Sequence, residues 1–372
     1  MKDVLGIVFA DDQHTKIGDL TNRRPLAAVP VAGRYRCIDF VLSDMVNSGM
    51  INIAVVTQNN YHSLMDHLGS GKAWNLSRKK YGLYLFPPYS SPDSTGYDNR
   101  IDILYSLLSY LKHSSQQYVI LSESNLVINA TFSKAFAHHL ETKADITVLY
   151  EQVDPLSNTK ENDSFIYTDR DGAVIDIEIN ANYNESNKRC IGVYILDRIR
   201  LIQIIENSFS RGKKGYLMNL ISRNIGRLNI QSYQTTAYMK RIADIHDFYQ
   251  VNMEILNQEV REKLFHADTT IYTKVKDTVP TTYLKHANVK NSFIADGCVI
   301  DGTVENCILF RGVKVKKGAV LKNCIILQQS EILSNCHLEN VITDKLVLIN
   351  EGKTLIGTKD FPIVVPKEKV IL

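Results

Sequence analysis

The 372-residue sequence predicts an α/β protein in two parts. A doubly wound, mostly parallel, Rossmann-like sheet domain is expected over residues 1–263, and a left-handed parallel β-helix over 285–372, with a linker at 264–284. Three observations carry this reading. Strand-length apolar runs alternate with helix-length amphipathic runs up to about residue 150, the pattern of βαβ units. The first run, residues 4–10 (VLGIVFA), is apolar throughout, as in a strand covered on both faces. After about residue 285 the texture changes to short β-branched triplets separated by Gly, Asn, Asp and Lys. Apolar residues there recur near a hexapeptide period at Ile294, Ile300, Val313, Ala319 and Ile325.

Residues 1–60 read strand, loop, helix, strand. The second strand is INIAVVT at 51–57, after a helix that Gly49 ends, and the crossover is expected to be right-handed. A short helix at 61–68 precedes a loop-rich stretch over 69–100. Residues 101–112 (IDILYSLLSYLK) read as one helix, 118–121 as a strand, 132–143 as a helix and 145–150 as a strand. Residues 165–179 read as a hairpin turning at Asp171-Gly172, and 190–196 as a further strand. Helices are expected at 199–208 and 217–225, and a long unbroken one at 242–263. Cys307 and Cys324 lie close to one coil apart and are expected to stack inside the β-helix.

Composition narrows the function. The formal charge of +3 is too mild to imply nucleic acid, and no Lys/Arg cluster carries interleaved aromatics. The six cysteines include no CxxC pair, so neither a zinc site nor a redox motif is expected; buried thiols in a reducing cytoplasm are. The N-terminus shows no signal-peptide pattern, and no stretch approaches the roughly 18 apolar residues of a membrane span. The expectation is a soluble, cytoplasmic protein.

The strand, loop and helix at the N-terminus are where an α/β fold holds a nucleotide phosphate. Such a loop needs glycines, because backbone N–H groups must approach the phosphate closely. Here Asp11, Asp12, Gln13 and His14 stand in the loop. Two carboxylates repel a triphosphate, so architecture and loop chemistry disagree.

Residues 20–68, LTNRRPLAAVPVAGRYRCIDFVLSDMVNSGMINIAVVTQNNYHSLMDHL, resemble the N-terminal region of the glucose-1-phosphate adenylyltransferase (ADP-glucose pyrophosphorylase) family. RYR-IDF, NSG, TQ and HSL fall at the family's spacings, and the plan of nucleotidyltransferase domain then β-helix covers the chain. The resemblance implies a site that this chain departs from at every catalytic motif. The phosphate loop GGxGxRL carries Asp11, Asp12 and His14 for its glycines and Lys16 for its arginine. The catalytic lysine of the family's KP pair is Leu26. The magnesium-binding aspartate of SGD falls at Ser124, beside Glu123, and the second metal aspartate at Arg241. The sugar-phosphate motif FxEKP has lost its lysine at Asn180 and Ala181. Magnesium-assisted nucleotidyl transfer needs carboxylates for the metal and cations for the triphosphate. Neither set is intact.

The resemblance therefore implies a catalytically deficient, regulatory subunit for glycogen biosynthesis, joined to a catalytic adenylyltransferase subunit in a heterotetramer. No metal is expected on this chain; Mg²⁺ enters only through the catalytic partner. Arg34, Arg36 and His62 are the candidates for an anion or sugar-phosphate effector site, against a plain structural reading of each. The alternatives are a weakly active Mg-dependent sugar-phosphate nucleotidyltransferase using Glu123 and Lys16, and a stand-alone sugar-phosphate-binding protein. A hexapeptide acyltransferase would depend on His337 as its candidate catalytic histidine within the repeats.

Overall fold

A computed structural model describes residues 1–10, 17–57, 60–87, 100–154, 160, 163–179, 186–212, 215, 217–265 and 268–372. In chain order the sheet domain has β1 (Val4–Phe9), the hairpin β2 (Pro30–Val31) and β3 (Tyr35–Arg36), α1 (Cys37–Asn47), β4 (Asn52–Val56) and α2 (His62–Leu68). Then come β5 (Gly82–Phe86), α3 (Arg100–Ser106), α4 (Leu108–His113), β6 (Tyr118–Glu123), β7 (Leu126–Ile128), α5 (Ser133–Glu141) and β8 (Ile146–Gln152). The domain continues with β9 (Ser164–Thr168), β10 (Val174–Ile179), β11 (Lys188–Asp197), α6 (Arg198–Ser210) and α7 (Leu217–Ser222). It ends with β12 (Ile230–Gln234), β13 (Met239–Arg241), α8 (Ile245–Glu254) and α9 (Gln258–Leu264).

The main sheet runs β10-β9-β11-β6-β1-β4-β5, with β8 also on β11 and β12 outside β8. β1 lies parallel to β4 and β6, and all six of its residues are buried, as its unbroken apolar run requires. β11 is antiparallel to β6 and β8, which makes the sheet mostly rather than wholly parallel. One face is covered by α3, α4, α6 and α7, the other by α1, α2 and α5.

Three local expectations change. The loop-rich stretch contains β5, an edge strand whose half-exposed pattern lacks clean alternation. The helix expected at 101–112 is two, separated at Leu107. The long helix at 242–263 is also two. Asp244 caps α8 by accepting from Asp247 N, and Asn257 caps α9 by accepting from Glu259 N. Each short polar side chain satisfies a backbone donor that a continuous helix would have claimed, so the chain restarts there.

The C-terminal part is the left-handed parallel β-helix. Its three parallel sheets hold six, five and five short strands, from Thr282–Tyr283 to Val370–Ile371. Ile300, Val313 and Ala319 point into the coil, whereas Ile325, expected there too, faces outward onto the sheet domain because its neighbour Ile326 takes the inward position. Cys324 N donates to Cys307 Sγ at 3.3 Å, so the two thiols stack. Asn291, Asn306, Asn323 and Asn340 turn one corner with φ of 43 to 51°, the left-handed region that asparagine tolerates best among residues with a Cβ.

The two parts share one apolar seam. Ile308, Phe310, Ile325, Leu327 and Ile342 of the β-helix join Leu20, Phe40, Phe248 and Val251 of the sheet domain. Tyr249 Oη donates across the seam to Asn323 O at 2.8 Å, and lies 3.0 Å from Asn340 Oδ1. Among the described residues no helix is long and apolar enough to cross a membrane.

Phe310 is fully buried in this seam. Phe310→Ala is expected to cost about 3–5 kcal/mol through lost contacts and the cavity left behind. Calorimetric unfolding checks this: an unchanged transition would mean that the seam carries no stability.

Candidate functional site

Strands β7 and β13 bring the two expected metal positions together. They pair antiparallel, Arg241 opposite Leu126, and Ile242 N donates to Asn125 O at 2.9 Å. Ser124, buried, precedes this pair by two residues. A hydroxyl and a guanidinium thus stand at the two expected metal positions. Arg241 forms an ion pair with Asp163, whose side chain is fully buried. Asp163 also accepts from Lys160 N at 3.0 Å and lies 3.5 Å from Arg189 Nη1. Arg189 in turn holds Glu151 at 2.6 Å. Lys160 Nζ reaches the start of α8, pairing with Asp244 at 2.8 Å and with Asp247. Burial pushes the Asp244 carboxyl up, but the hydrogen bonds from Lys160 and Asp247 N outweigh it and hold it below the usual range.

Glu123 is engaged elsewhere. Arg100 meets both its oxygens, at 2.8 and 2.7 Å, and places its guanidinium 4.1 Å from the centroid of the Phe9 ring at the end of β1. Gly192 of β11, at φ +78°, makes the room: a Cβ there would lie 2.8 Å from Glu123 Cγ. Leu26 is buried in the core with Ile17, Leu20 and Val127, and Ala27 N donates to Ala10 O at 3.1 Å. An alkyl side chain turned inward delivers no charge to the end of β1. Asp11, Asp12, His14, Lys16 and Asn180 lie outside the described residues. Among the described residues no group of three or more His, Cys, Asp or Glu could hold a metal ion. At the two positions where the sequence resemblance expected metal ligands, Ser124 and Arg241 do not fit Mg²⁺, which takes oxygen ligands and repels a cation beside it.

A second site lies on the seam between the two parts. The β2–β3 hairpin leans on the β-helix at Gly33, where a Cβ would come within 3.2 Å of the Phe293 ring. This puts exposed Arg34 at the rim, its guanidinium 5.7 Å from the centroid of the Tyr35 ring. Arg36 is half-buried and donates to Ser63 O at 2.6 Å. Arg24, fully inside, grips both oxygens of Asp344 at 2.7 and 2.6 Å. Lys345 and Arg311 complete the cluster from the same corner of the β-helix, two turns apart. Burial lowers Lys345 to about 7, and Arg36 and Arg24 push the same way against Asp344. Burial also lowers Arg311, with Arg34 adding repulsion. Among the described residues Arg24 Nη1 and Arg311 Nε are buried without a partner, donors that an anion would satisfy. His62 is exposed and stacks on Tyr61. The structure brings Arg34 and Arg36, the candidates read from the sequence, near Arg24, Lys345 and Arg311, which the sequence reading did not name because they come from distant segments with no shared motif.

Behind Arg36 the fold is tightly tied. Asp39 Oδ2 accepts from Arg36 N at 3.0 Å, and Asp39 Oδ1 lies 2.6 Å from His67 Nε2. Burial keeps the His67 imidazole below its usual range despite Asp39. The Trp74 ring meets His67 edge-on at 5.7 Å between centroids.

Residues 5–257 match the nucleotidyl transferase family, and residues 277–360 match the GlmU-like, C-terminal hexapeptide family. The chain is 36% identical to the glycogen biosynthesis protein GlgD of Bacillus subtilis (strain 168), over 98% of this chain and 96% of that protein. It is 36% identical to GlgD of Geobacillus stearothermophilus over 86% of this chain and 82% of the relative. It is 28% identical to the glucose-1-phosphate adenylyltransferase of Fervidobacterium nodosum, over 95% of this chain and 85% of that enzyme.

Two neighbouring arginines cross the seam and should differ sharply. Arg24→Ala strands the buried Asp344 carboxylate and is expected to cost about 3–5 kcal/mol. Arg23 meets Glu368 in solvent, and Arg23→Ala is expected to leave the unfolding temperature unchanged. Calorimetry of both variants tests this, and equal losses would contradict it.

Proposed function

The chain belongs to the nucleotidyl transferase family, within its glycogen-biosynthesis group of GlgD proteins and glucose-1-phosphate adenylyltransferases, and from that premise we propose that it is a regulatory, catalytically deficient subunit. It would join a catalytic glucose-1-phosphate adenylyltransferase subunit in a heterotetramer and change that subunit's synthesis of ADP-glucose from ATP and glucose 1-phosphate. The observation that carries this reading is the ion pair of Arg241 with Asp163 beside Ser124. A cation stands where magnesium would have to sit, and its carboxylate partner is already neutralised. Mg²⁺ would be held by the catalytic partner alone.

Two further observations support a regulatory role. The seam cluster of Arg24, Arg36, Arg311 and Lys345, with Arg34 at its rim, has the charge and the unsatisfied donors for a sugar-phosphate effector. It touches both parts of the chain, so an anion bound there acts on how they sit together. A subunit regulates another only through contacts that differ between the partner's states. The C-terminal coils of the β-helix leave apolar side chains open to such contacts: Phe361 is 82% exposed and Ile356 58%.

The test measures ADP-glucose synthesis with ATP, glucose 1-phosphate and Mg²⁺, using this chain, a catalytic subunit, and the two mixed. The chain alone is expected to be silent, and the mixture to differ from the catalytic subunit in maximal rate or effector response. Turnover by the isolated chain at the partner's rate would overturn the reading.

The seam cluster also predicts a pH dependence. Lys345 is protonated below about 7 and loses its charge above it. Affinity for a sugar phosphate should therefore fall as pH rises through that value, and Lys345→Arg should flatten the decline. Titration calorimetry on both proteins measures it; identical pH profiles would remove Lys345 from the site.

A further inference from the structure

One stripe of α6 carries residues 200, 203, 207 and 211, at three- and four-residue spacing. Facing it is the turn at 223–228, and between them lies a cleft of about 160 Å³. Arg200, Arg211, Arg223 and Arg227 line it from both walls, and no aspartate or glutamate does. Arg200 is committed to Asp145 and Gln203. The guanidinium groups of Arg211, Arg223 and Arg227 have no ion pair or hydrogen bond among the described residues.

Several half-buried or buried arginines of this chain are neutralised by carboxylates: Arg24 by Asp344, Arg100 by Glu123, Arg189 by Glu151, Arg241 by Asp163. Like charges gathered around one cleft raise its free energy until a counter-charge enters. Guanidinium forks match the oxygens of a phosphoryl group two at a time, and the exposed carboxamides of Gln203 and Asn207 add neutral donors. The volume falls well below the roughly 300–1,000 Å³ of pockets for larger ligands, so the occupant is compact. The cleft shares no residue with the seam cluster or with the Arg241 site.

We propose that this cleft is a binding site for a compact phosphate-bearing anion, with diphosphate the best match because arginines approach from both walls.

The test is titration calorimetry of the full chain with diphosphate, inorganic phosphate, glucose 1-phosphate and sulfate at fixed ionic strength. Diphosphate is expected to bind most tightly. The double variant Arg223→Gln/Arg227→Gln should weaken it by about tenfold or more. These side chains are exposed, so circular dichroism and the anion-free unfolding temperature should show the variant folded. Arg36→Gln, which alters the seam cluster, should leave this binding event in place. Equal diphosphate affinity in the double variant and the parent would overturn the proposal, as would loss of the event in Arg36→Gln instead. Sulfate binding as tightly as diphosphate would reduce the cleft to a nonspecific counter-ion site. Tighter binding of glucose 1-phosphate would replace diphosphate by a phosphate monoester and overturn that assignment.

Discussion

A carboxylate removed from water must find a cation or stay protonated, and this constraint shapes both halves of the molecule. Asp163 is fully buried and is neutralised by Arg241, with Arg189 and the Lys160 amide behind it. Asp344 is buried in the β-helix and is neutralised by Arg24 from the sheet domain. In the first case the cation comes from a neighbouring strand of the same domain. In the second it fastens two architectures together. Breaking either pair exposes the same cost, an uncompensated charge in a medium that solvates it poorly.

The layout around these pairs follows from which segments run where. β7 and β13 are short and pair only with each other, yet they fix Ser124 and Arg241 side by side. The β2–β3 hairpin and the start of α1 bring Arg34 and Arg36 to the seam, while the β-helix supplies Arg311 and Lys345 from one corner two turns apart. A stacked coil is a good source of such groups because each turn presents its corner at nearly the same place. The cluster therefore joins residues more than 300 positions apart without any long-range motif in the chain.

The sequence was most legible where one physical signal acted alone. The all-apolar β1 and the hexapeptide period of the β-helix were of that kind, and both correspond to structure. The charge reversal at residue 241 could be read as a reversal, but not as an ion pair, since Asp163 sits in a segment with no motif. Glu123 was open to the alternative of serving a metal because nothing local announces Arg100, which arrives from the start of α3. The helix at 242–263 was read as continuous because its apolar spacing persists, whereas Asp244 and Asn257 cut it by local capping. Pairing across space and competition for backbone donors are the two things that periodicity does not encode.

The chain contains a single tryptophan, and the structure gives it an address. Trp74 is buried and set edge-on against His67, whose ring bonds Asp39, whose other oxygen caps the backbone of Arg36. All the indole light this protein emits therefore comes from one point, two polar contacts removed from the seam. Anything that repositions Arg36 changes the surroundings of that one chromophore, and the molecule carries its own optical gauge without a label.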